Sequence, residues 1–242
     1  MPTPRRVEAE VLEIQDFGHN VYGIILRVPR TYTRFRPGQF THLSVESYDP
    51  SDGYWPESRV FSLASQPNAE TIRLVYSVKG RYTERIREIL HVGFRCWLKL
   101  PYGDFIVEKG LELHQPIVLV AGGTGITPFI PYLLDNEKLN PHRKVALYYG
   151  VRNPSLTIFV EELRWAIEFM SNLTINLYSE EHSQDERFKL GRLSLDDILS
   201  EAKQLENPVF FISGPPSMIN NFKVGLIRAS VSEKDIRIDK WE

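Results

Sequence analysis

A glycine-rich loop, VAGGTGITP at Val120–Pro128, is the segment whose residue types most directly suggest ligand chemistry. A continuous apolar stretch leads into it, and an apolar pattern typical of a helix follows. A strand that passes through glycines into a helix offers unpaired backbone N–H groups and a positive dipole end, which together bind phosphate. The loop therefore predicts a phosphate or ribose near Gly123–Thr127, although a tight turn that only needs glycine would have the same composition.

The loop matches neither of two familiar glycine motifs. A P-loop ends in GK[ST], and no lysine follows here. Gly123 and Gly125 supply the first two glycines of GxGxxG, but Pro128 stands in place of the third. Proline suits the first turn of a helix, whereas it would not provide the close helix–strand packing of the third glycine. Spacing alone therefore predicts an anion site without naming the ligand.

A second glycine–proline turn, ISGPPSM, follows a later apolar strand. It places Ser213, Gly214 and Pro215 at the carboxyl edge of the same predicted sheet, where ligands of open α/β sheets bind. Two such turns on one edge favour a dinucleotide over a mononucleotide. Met218, Phe222 and Leu226 recur every four residues and are expected to be the buried face of the next helix.

The two halves of the chain have different hydrophobic periods. The first half contains short alternating segments, among them RVEAEVLEIQDF, VYGIILRVP, GQFTHLSVE, RVFSLAS, TIRLVYSV and CWLKLPYG, which predict an antiparallel β-barrel interrupted by one helix, YTERIREILHV. The second half alternates apolar strands with helix patterns, one of which is SLTIFVEELRWAIEF from Ser155, and this alternation predicts a doubly wound parallel α/β sheet. A polar segment at Glu108–Gln115 suggests domains of residues 1–110 and 111–242.

Composition excludes several classes of function. The net charge of -2 gives no reason to expect nucleic-acid binding. The single cysteine, Cys96, cannot hold an iron–sulfur cluster or a cysteine-rich zinc site by itself, no histidine pair has HExxH spacing, and no metal site is expected. No apolar run approaches the ~20 residues of a membrane span, and the N-terminus lacks the apolar core of a signal peptide. A cytoplasmic protein is therefore expected.

Ligand-type residues also occur in the first half. RVFS at Arg59–Ser62 places an arginine, an aromatic ring and a hydroxyl on one strand, and KGRYTERI opens a helix with Thr83 in its first turn. An arginine and a helix N-terminus can hold a pyrophosphate, and an aromatic ring can stack on a flat ring system. Taken singly, Arg59 could equally be a surface charge and Phe61 a core aromatic.

The ordered set of motifs RxFS, GxxT, PYGDF, GGTGITP, YYGVR and SGPPSM resembles that of the ferredoxin–NADP⁺ reductase superfamily of flavoproteins, from about Glu8 to Trp241. The resemblance implies a flavin-binding barrel in which Arg59 contacts the flavin phosphates, Phe61 lies against the flavin and Ser62 hydrogen-bonds near flavin N5. The pyrophosphate would be held by Gly80, Arg81, Tyr82 and Thr83, and a pyrophosphate site favours FAD over FMN. Tyr76 would also lie at the flavin.

The same resemblance implies a nicotinamide nucleotide on the α/β domain, contacted by Gly123, Thr124, Gly125, Thr127, Arg152, Ser213, Gly214 and Pro215. Ser213 stands where many relatives have cysteine next to the nicotinamide, so Ser62 and Ser213 are the expected catalytic residues. Trp241 is expected either to cover the flavin or to be a mobile tail residue. Glu180 and Glu181, after the third strand of the sheet, favour NADH over NADPH, unless Arg187 or Lys189 folds back toward a 2′-phosphate.

The expected activity is hydride transfer from NAD(P)H to FAD. Because this chain has no cluster, the electrons would pass to a separate protein such as a ferredoxin, a cytochrome or an oxygenase component. Two alternatives stay open: a reductase of diffusible acceptors such as free flavin, ferric complexes or quinones, and a nucleotide-sensing or electron-relay subunit without turnover of its own. The sequence does not indicate an oligomeric state.

Overall fold

The computed structural model describes residues 3–135 and 142–240 and contains two compact units. One unit runs to Ile106 and includes Ile130–Tyr132; the other comprises Val107–Phe129 and the chain from Leu133 onward. Within the described residues, no helix is long and apolar enough to cross a membrane, and no three His, Cys, Asp or Glu side chains are grouped as a metal site.

The first unit is a nearly closed antiparallel barrel with the strand order β4-β3-β6-β1-β2-β5. Its elements are β1 (Arg5–Asp16), β2 (Val21–Arg27), β3 (Phe40–Ser44), β4 (Arg59–Ser62), β5 (Thr71–Ser77), α1 (Arg81–Ile89) and β6 (Arg95–Tyr102). Ala64 N–H donates to the Arg73 carbonyl at 2.9 Å and so links the chain after β4 to β5, the strand at the other end of the order. The predicted barrel and its single helix are confirmed.

Alternation along the strands builds the core of the barrel. The inward residues, such as Val7, Ala9 and Val11 on β1, are buried, whereas Glu8 and Glu10 on the opposite face lie nearer solvent. An insertion between β3 and β4 packs a second aromatic layer: the Tyr48 ring lies 5.0 Å from Trp97 and 5.4 Å from Trp55, measured between centroids. The barrel therefore fixes the direction of every side chain on β4 and β5.

The second unit is a parallel sheet with the order β10-β9-β8-β7-β11-β12, which is a doubly wound arrangement. Its elements are β7 (Ile117–Gly122), β8 (Val145–Val151), α3 (Val160–Phe169), β9 (Leu173–Ser179), β10 (Phe188–Leu190), α4 (Leu195–Ala202), β11 (Val209–Ser213), α5 (Pro216–Arg228) and β12 (Ile236–Ile238). A short helix, α2 (Ile130–Leu134), comes between β7 and β8 in the chain, and its first three residues are the ones assigned to the barrel unit. All residues of β7 and β11 are buried, as expected of central strands covered on both faces. The predicted α/β class is confirmed.

Local chemistry places the ends of these helices. Ser194 accepts a hydrogen bond from the Asp197 N–H and so caps α4, as its sequence suggests. The helix predicted from Ser155 instead begins at Val160, because Asn153 and Pro154 form a short 3-10 turn and Phe159 has a left-handed φ of 62°. Two three-residue edge strands, β10 and β12, were not predicted from the sequence.

Candidate functional site

In the barrel unit, the start of α1 is the position at which the sequence predicts a pyrophosphate, and its turn is held by internal hydrogen bonds. Thr83 Oγ1 accepts hydrogen bonds from the backbone N–H of Lys79 at 3.0 Å and of Gly80 at 3.1 Å, and donates to the Gly80 carbonyl at 2.8 Å. The Thr83 hydroxyl therefore caps the helix and is not a free ligand donor. The first-turn N–H groups and the exposed Arg81 remain to meet a phosphate. Gly80 has no atom within 4 Å of where a Cβ would lie, so this side of the turn is open.

Arg59 begins β4 on the exposed face, and its guanidinium is held in place from two sides. It donates to Glu57 Oε1 at 3.0 Å, and its Cζ lies 4.6 Å from the centroid of the Tyr82 ring. Tyr82 is buried, and its hydroxyl donates to the Glu57 carbonyl and accepts from Val45 N–H. Burial is also the main reason that the pKa of Tyr82 is raised. Tyr82 thus supports Arg59 rather than offering its own hydroxyl to a ligand.

Further along β4, Phe61 and Ser62 lie beside an aromatic pair. The Phe61 ring lies 5.9 Å from Tyr76 on β5, and Tyr76 stacks on Tyr22 of β2 at 5.7 Å. Burial, and to a smaller extent Tyr22, raises the pKa of Tyr76 to about 12, so its phenol stays neutral across the physiological range. Ser62 ends the strand and is 3% exposed. Phe61 and Tyr76 are 8% and 3% exposed and both belong to the barrel core, so little of either ring faces solvent.

In the α/β unit, the two glycine-rich turns pack against each other at the carboxyl ends of β7 and β11. A Cβ on Gly125 would lie 2.4 Å from the Ser213 carbonyl oxygen and 2.6 Å from Gly214 Cα. A Cβ on Gly122 would lie 2.6 Å from Met218 Sδ. Only glycine allows these backbones to approach so closely, so the two predicted loops form one surface.

The chain after Gly122 forms a 3-10 helix at Gly123–Phe129 that continues into α2. Gly123 has a φ of 54°, and no atom lies within 4 Å of where its Cβ would be. Thr127 is buried, and its hydroxyl donates to the Thr124 carbonyl at 2.7 Å. Thr127 therefore shapes the loop, whereas Gly123 and the half-buried Thr124 leave the open side to a ligand. Pro128 lies inside this 3-10 helix, two residues before α2 begins.

A residue that the sequence reasoning missed, Asp239, contacts Ser213. Ser213 Oγ donates to Asp239 Oδ2 at 3.0 Å; Ser213 is fully buried and Asp239 is 6% exposed. The Asp239 N–H also donates to the Ile212 carbonyl, which fixes the chain after β12 against β11. Because the hydroxyl proton of Ser213 points at a carboxylate, its oxygen is left with lone pairs and acts as an acceptor toward any other group.

The acidic segment after β9 is internally paired. Glu180 binds Arg192 Nε at 2.9 Å, and Glu181 accepts from Asn153 Nδ2 at 2.5 Å. Arg187 is bound to Asp185 through both carboxylate oxygens. Lys189 is also engaged with acidic and aromatic groups: its Nζ lies 3.7 Å from Glu201 and 5.3 Å from the centroid of the Tyr178 ring. The cations of this segment, Arg187, Lys189 and Arg192, are therefore already engaged.

Arg152 follows β8 directly, at the same edge as the two glycine turns, and its side chain is exposed. Its carbonyl accepts from the Glu181 N–H at 3.0 Å, which joins this position to the acidic segment. Trp241 lies outside the described residues. The second unit thus gathers the residues that the sequence assigned to the nucleotide at one edge of its sheet.

Comparison with known proteins agrees with this geometry. Residues 119–223 match the family described as oxidoreductase NAD-binding domain. The chain is 28% identical over 220 residues to the anthranilate 1,2-dioxygenase electron transfer component of Acinetobacter baylyi, covering 86% of this chain and 58% of that protein. It is 26% identical over 220 residues to the NAD(P)H-flavin reductase of Vibrio harveyi, covering 86% of each. The chain spans little more than half the length of several relatives, 52% for a flavohemoprotein of Rhizobium meliloti.

Solved structures share the fold over nearly the whole chain. The Amycolatopsis cytochrome P450 reductase GcoB has a TM-score of 0.82 at 23% identity, covering 98% of this chain and 70% of that one. A ferredoxin NADP⁺ reductase from Neisseria gonorrhoeae, solved with bound FAD and NADP, has a TM-score of 0.78 at 20% identity, covering 97% of this chain and 98% of that one. Both likenesses concern the two-domain architecture.

Proposed function

We propose that the chain is a member of the ferredoxin–NADP⁺ reductase superfamily, and that it is an FAD-containing reductase that oxidises a nicotinamide nucleotide and passes the electrons to a separate acceptor. The observation that carries the proposal is the packing of Gly125 against Ser213 and Gly214, which joins two ligand-type turns into one nucleotide surface. The Neisseria gonorrhoeae reductase of the same fold was solved with FAD and NADP.

Residues of the barrel fit FAD. The first-turn N–H groups of α1 with Arg81, and Arg59 on β4, would bind the pyrophosphate, because a helix N-terminus and a guanidinium both match phosphate oxygens. Phe61 and Tyr76 would lie against the ring system, and Ser62 would hydrogen-bond its edge. FAD, when bound, supplies the hydride acceptor and can release electrons singly.

The contribution of the chain is to position the reactants and exclude water. On the nucleotide side, Gly123 and Thr124 leave room for the pyrophosphate and ribose, and Arg152 supplies a cation. Ser213, whose hydroxyl proton is directed to Asp239, would accept a hydrogen bond from the carboxamide N–H of the nicotinamide. Orientation of the nicotinamide by this acceptor is the role that we assign to Ser213.

We propose NADH as the preferred donor. A 2′-phosphate needs unpaired cations, yet Arg187 and Arg192 are each bound to a carboxylate of the same segment. Glu180 and Glu181 would repel a phosphate dianion, and Glu181 could accept from a ribose 2′-hydroxyl. The double variant E180Q/E181Q should improve the use of NADPH relative to NADH about fivefold, the equivalent of ~1 kcal/mol of surface repulsion. The matched control is Glu161→Gln on α3, which should leave the ratio unchanged.

The protein acceptor is supported by relatives named as electron-transfer or reductase components of a dioxygenase and a propane monooxygenase. A diffusible acceptor is the second candidate, because the Vibrio harveyi relative named NAD(P)H-flavin reductase is covered over 86% of its length. Comparing turnover with free FMN, menadione and protein acceptors separates the two. Equal or higher efficiency with the small acceptors would favour the second candidate.

An anaerobic titration tests the central proposal. The FAD-loaded protein is mixed with NADH and, separately, NADPH, while the flavin absorbance is followed. We expect stoichiometric bleaching at lower concentrations of NADH than of NADPH. A protein that takes up no FAD, or whose bound flavin is not bleached by either nucleotide, would refute the proposed reductase activity.

A further inference from the structure

Three basic side chains lie in one row on the outer face of the barrel. Arg6 on β1 is the cross-strand partner of Lys99 on β6, and Lys99 is in turn the partner of His42 on β3. Residues that face each other across antiparallel strands have Cβ atoms about 4.5–5.5 Å apart. All three residues are half-buried. We call Arg6, Lys99 and His42 the basic row.

The basic row lies on the opposite side of β3 and β4 from Phe61, the aromatic residue that the sequence assigns to the flavin. His42 faces Val60 across these strands, whereas the next pair is Thr41 with Phe61. Successive residues of a strand point to opposite faces, and Phe61 belongs to the barrel core. The row is therefore distinct from the candidate flavin site, and the proposed function does not use it.

Another row on the same outer face shows how this barrel otherwise arranges charge. Glu10 on β1 lies opposite Arg27 of β2 and Arg95 of β6, so positive and negative groups alternate. In contrast, among the residues that the structure describes, neither Arg6 nor Lys99 forms an ion pair with a carboxylate. Like charges directly opposite each other destabilise a sheet. The basic row therefore lowers the stability of the barrel, and a bound anion would restore it.

Aromatic rings hold the two permanent cations of the row in place. Lys99 Nζ lies 5.8 Å from the centroid of the Trp55 ring and 5.7 Å from the centroid of the Tyr102 ring. Arg6 donates to the Tyr48 hydroxyl, and its Cζ lies 5.6 Å from the centroid of the Tyr48 ring. A ring face attracts a cation but does not use up its N–H donors, so these donors remain able to bind an anion.

His42 adds a neutral donor to the row. Its Nδ1 lies 3.3 Å from Ser58 Oγ, which accepts from Trp55 Nε1 at 2.9 Å. Because the indole supplies the proton of that second contact, the Ser58 hydroxyl donates its own proton to Nδ1, which places the imidazole proton on Nε2. Burial, and to a smaller extent the charge of Lys99, lowers the pKa of His42, so the ring is neutral at physiological pH.

We propose that the basic row binds a phosphate monoester that carries a flat aromatic ring. The phosphate accepts hydrogen bonds from Lys99, Arg6 and the Nε2–H of His42, and binding to Lys99 brings the ligand beside the rings of Trp55 and Tyr102, on which a flat group stacks. A carboxylate has one negative charge and would leave one of the two permanent cations without a countercharge, so the phosphate dianion is favoured. The proposal does not depend on the reductase activity.

Calorimetry with phenyl phosphate tests the proposal on the FAD-loaded full chain, with NAD⁺ present so that the proposed flavin and nucleotide sites are filled. We expect K99Q to weaken binding about tenfold, and K99R to stay within about threefold of the wild type because the charge remains. The matched control is R95Q, which removes an outward cation of the same strand that pairs with Glu8 and should leave the affinity unchanged. Methyl phosphate, which has no ring, should bind about fivefold more weakly than phenyl phosphate.

A second readout locates the ligand on the row. The imidazole NMR signals of His42, assigned with H42L, should move when phenyl phosphate is added, and H42L should itself weaken binding about threefold through the lost N–H donor. This variant also tests the site if K99Q does not fold.

Several outcomes would overturn the proposal. An equal loss in K99Q and R95Q would mean that net charge alone acts, and a wild type that ignores millimolar phenyl phosphate has no such site. Equal affinity for methyl phosphate would refute the aromatic part of the ligand. Binding to phosphatidic acid vesicles that is lost in K99Q, without binding of phenyl phosphate, would assign the row to a lipid headgroup and refute the small aromatic ligand.

Discussion

Replacing Gly125 with alanine tests whether close packing of two turns builds the nucleotide surface. The added Cβ would lie 2.4 Å from the Ser213 carbonyl oxygen, 2.5 Å from Ser213 C and 2.6 Å from Gly214 Cα. Ordinary van der Waals contact begins near 3.4 Å, so the turns would have to separate by about 1 Å. All three atoms are backbone atoms, so no side-chain rotation can relieve the contact.

The expected cost follows from this overlap. Overpacking a close-packed region typically costs about 1–3 kcal/mol, and a contact between backbone atoms belongs at the upper end. We therefore expect G125A to lower the free energy of unfolding by about 2–3 kcal/mol. Separating the turns also moves Thr124 and Ser213 apart, so we expect the affinity for NADH to fall at least tenfold.

Gly123→Ala is the matched control for stability within the same loop, but not for NADH affinity, because its Cβ would enter the space proposed for the nucleotide. Its φ of 54° is left-handed, but no atom lies within 4 Å of where its Cβ would be. Only the conformational penalty applies, about 1–2 kcal/mol for a residue with a side chain. Urea unfolding followed by circular dichroism gives the free energies, and fluorescence titration gives the NADH affinity.

Comparing the losses in G125A and G123A shows whether close packing or backbone conformation explains these glycines. If G125A unfolds at the wild-type urea concentration and binds NADH normally, the turns are not in close contact and the argument for one shared nucleotide surface is wrong. A larger loss in G123A than in G125A would show that backbone conformation, rather than close approach, explains the glycines of this loop.

Three further predictions follow from single contacts. Asp239→Asn and Ser213→Ala should each slow flavin bleaching by NADH about tenfold in stopped flow and leave FAD affinity unchanged. The first variant removes the carboxylate that directs the Ser213 hydroxyl, and the second removes the hydroxyl itself. Bleaching at the wild-type rate would exclude the positioning role. Because the Thr83 hydroxyl caps α1, Thr83→Ala should lower the free energy of unfolding by about 1 kcal/mol, and Thr83→Ser should retain most of the wild-type stability. No loss in Thr83→Ala would mean that the hydroxyl does not stabilise α1. Burial raises the pKa of Cys96 to about 12, so its thiol should not react with DTNB at pH 8 until urea unfolds the protein; rapid reaction in buffer would contradict its burial.

The sequence was sufficient to predict the elements whose hydrophobic pattern extends over many residues. Alternation along β1, which is interrupted after Val11, predicted a barrel strand, and the continuous apolar run of β7 predicted a buried parallel strand. β10 and β12 escaped because a three-residue strand at a sheet edge is too short to display a period. The early start predicted for α3 failed because the Asn153 side chain and the left-handed Phe159 hold a separate turn.

Candidate site residues could be proposed where a motif carried them, whereas contacts between residues distant in sequence could not be foreseen. The motif spacing predicted Gly125. The reason that glycine is needed there is its close contact with Ser213, which depends on the pairing of β7 with β11 in the folded sheet. The Ser213–Asp239 hydrogen bond joins residues 26 positions apart, and no local pattern signals it. The ion pair of Asp185 with Arg187 is a matter of side-chain geometry, so the sequence could not exclude Arg187 as a phosphate ligand.

The capped start of α1 bears on how the flavin and the protein come together. Since Thr83 already satisfies the N–H groups of Lys79 and Gly80, the first turn stands without a ligand. Binding then needs no slow conformational step before the encounter. The apoprotein should therefore take up FAD with an observed rate that rises linearly with flavin concentration and does not level off. This is the behaviour expected of a ligand that binds a site already in its bound conformation.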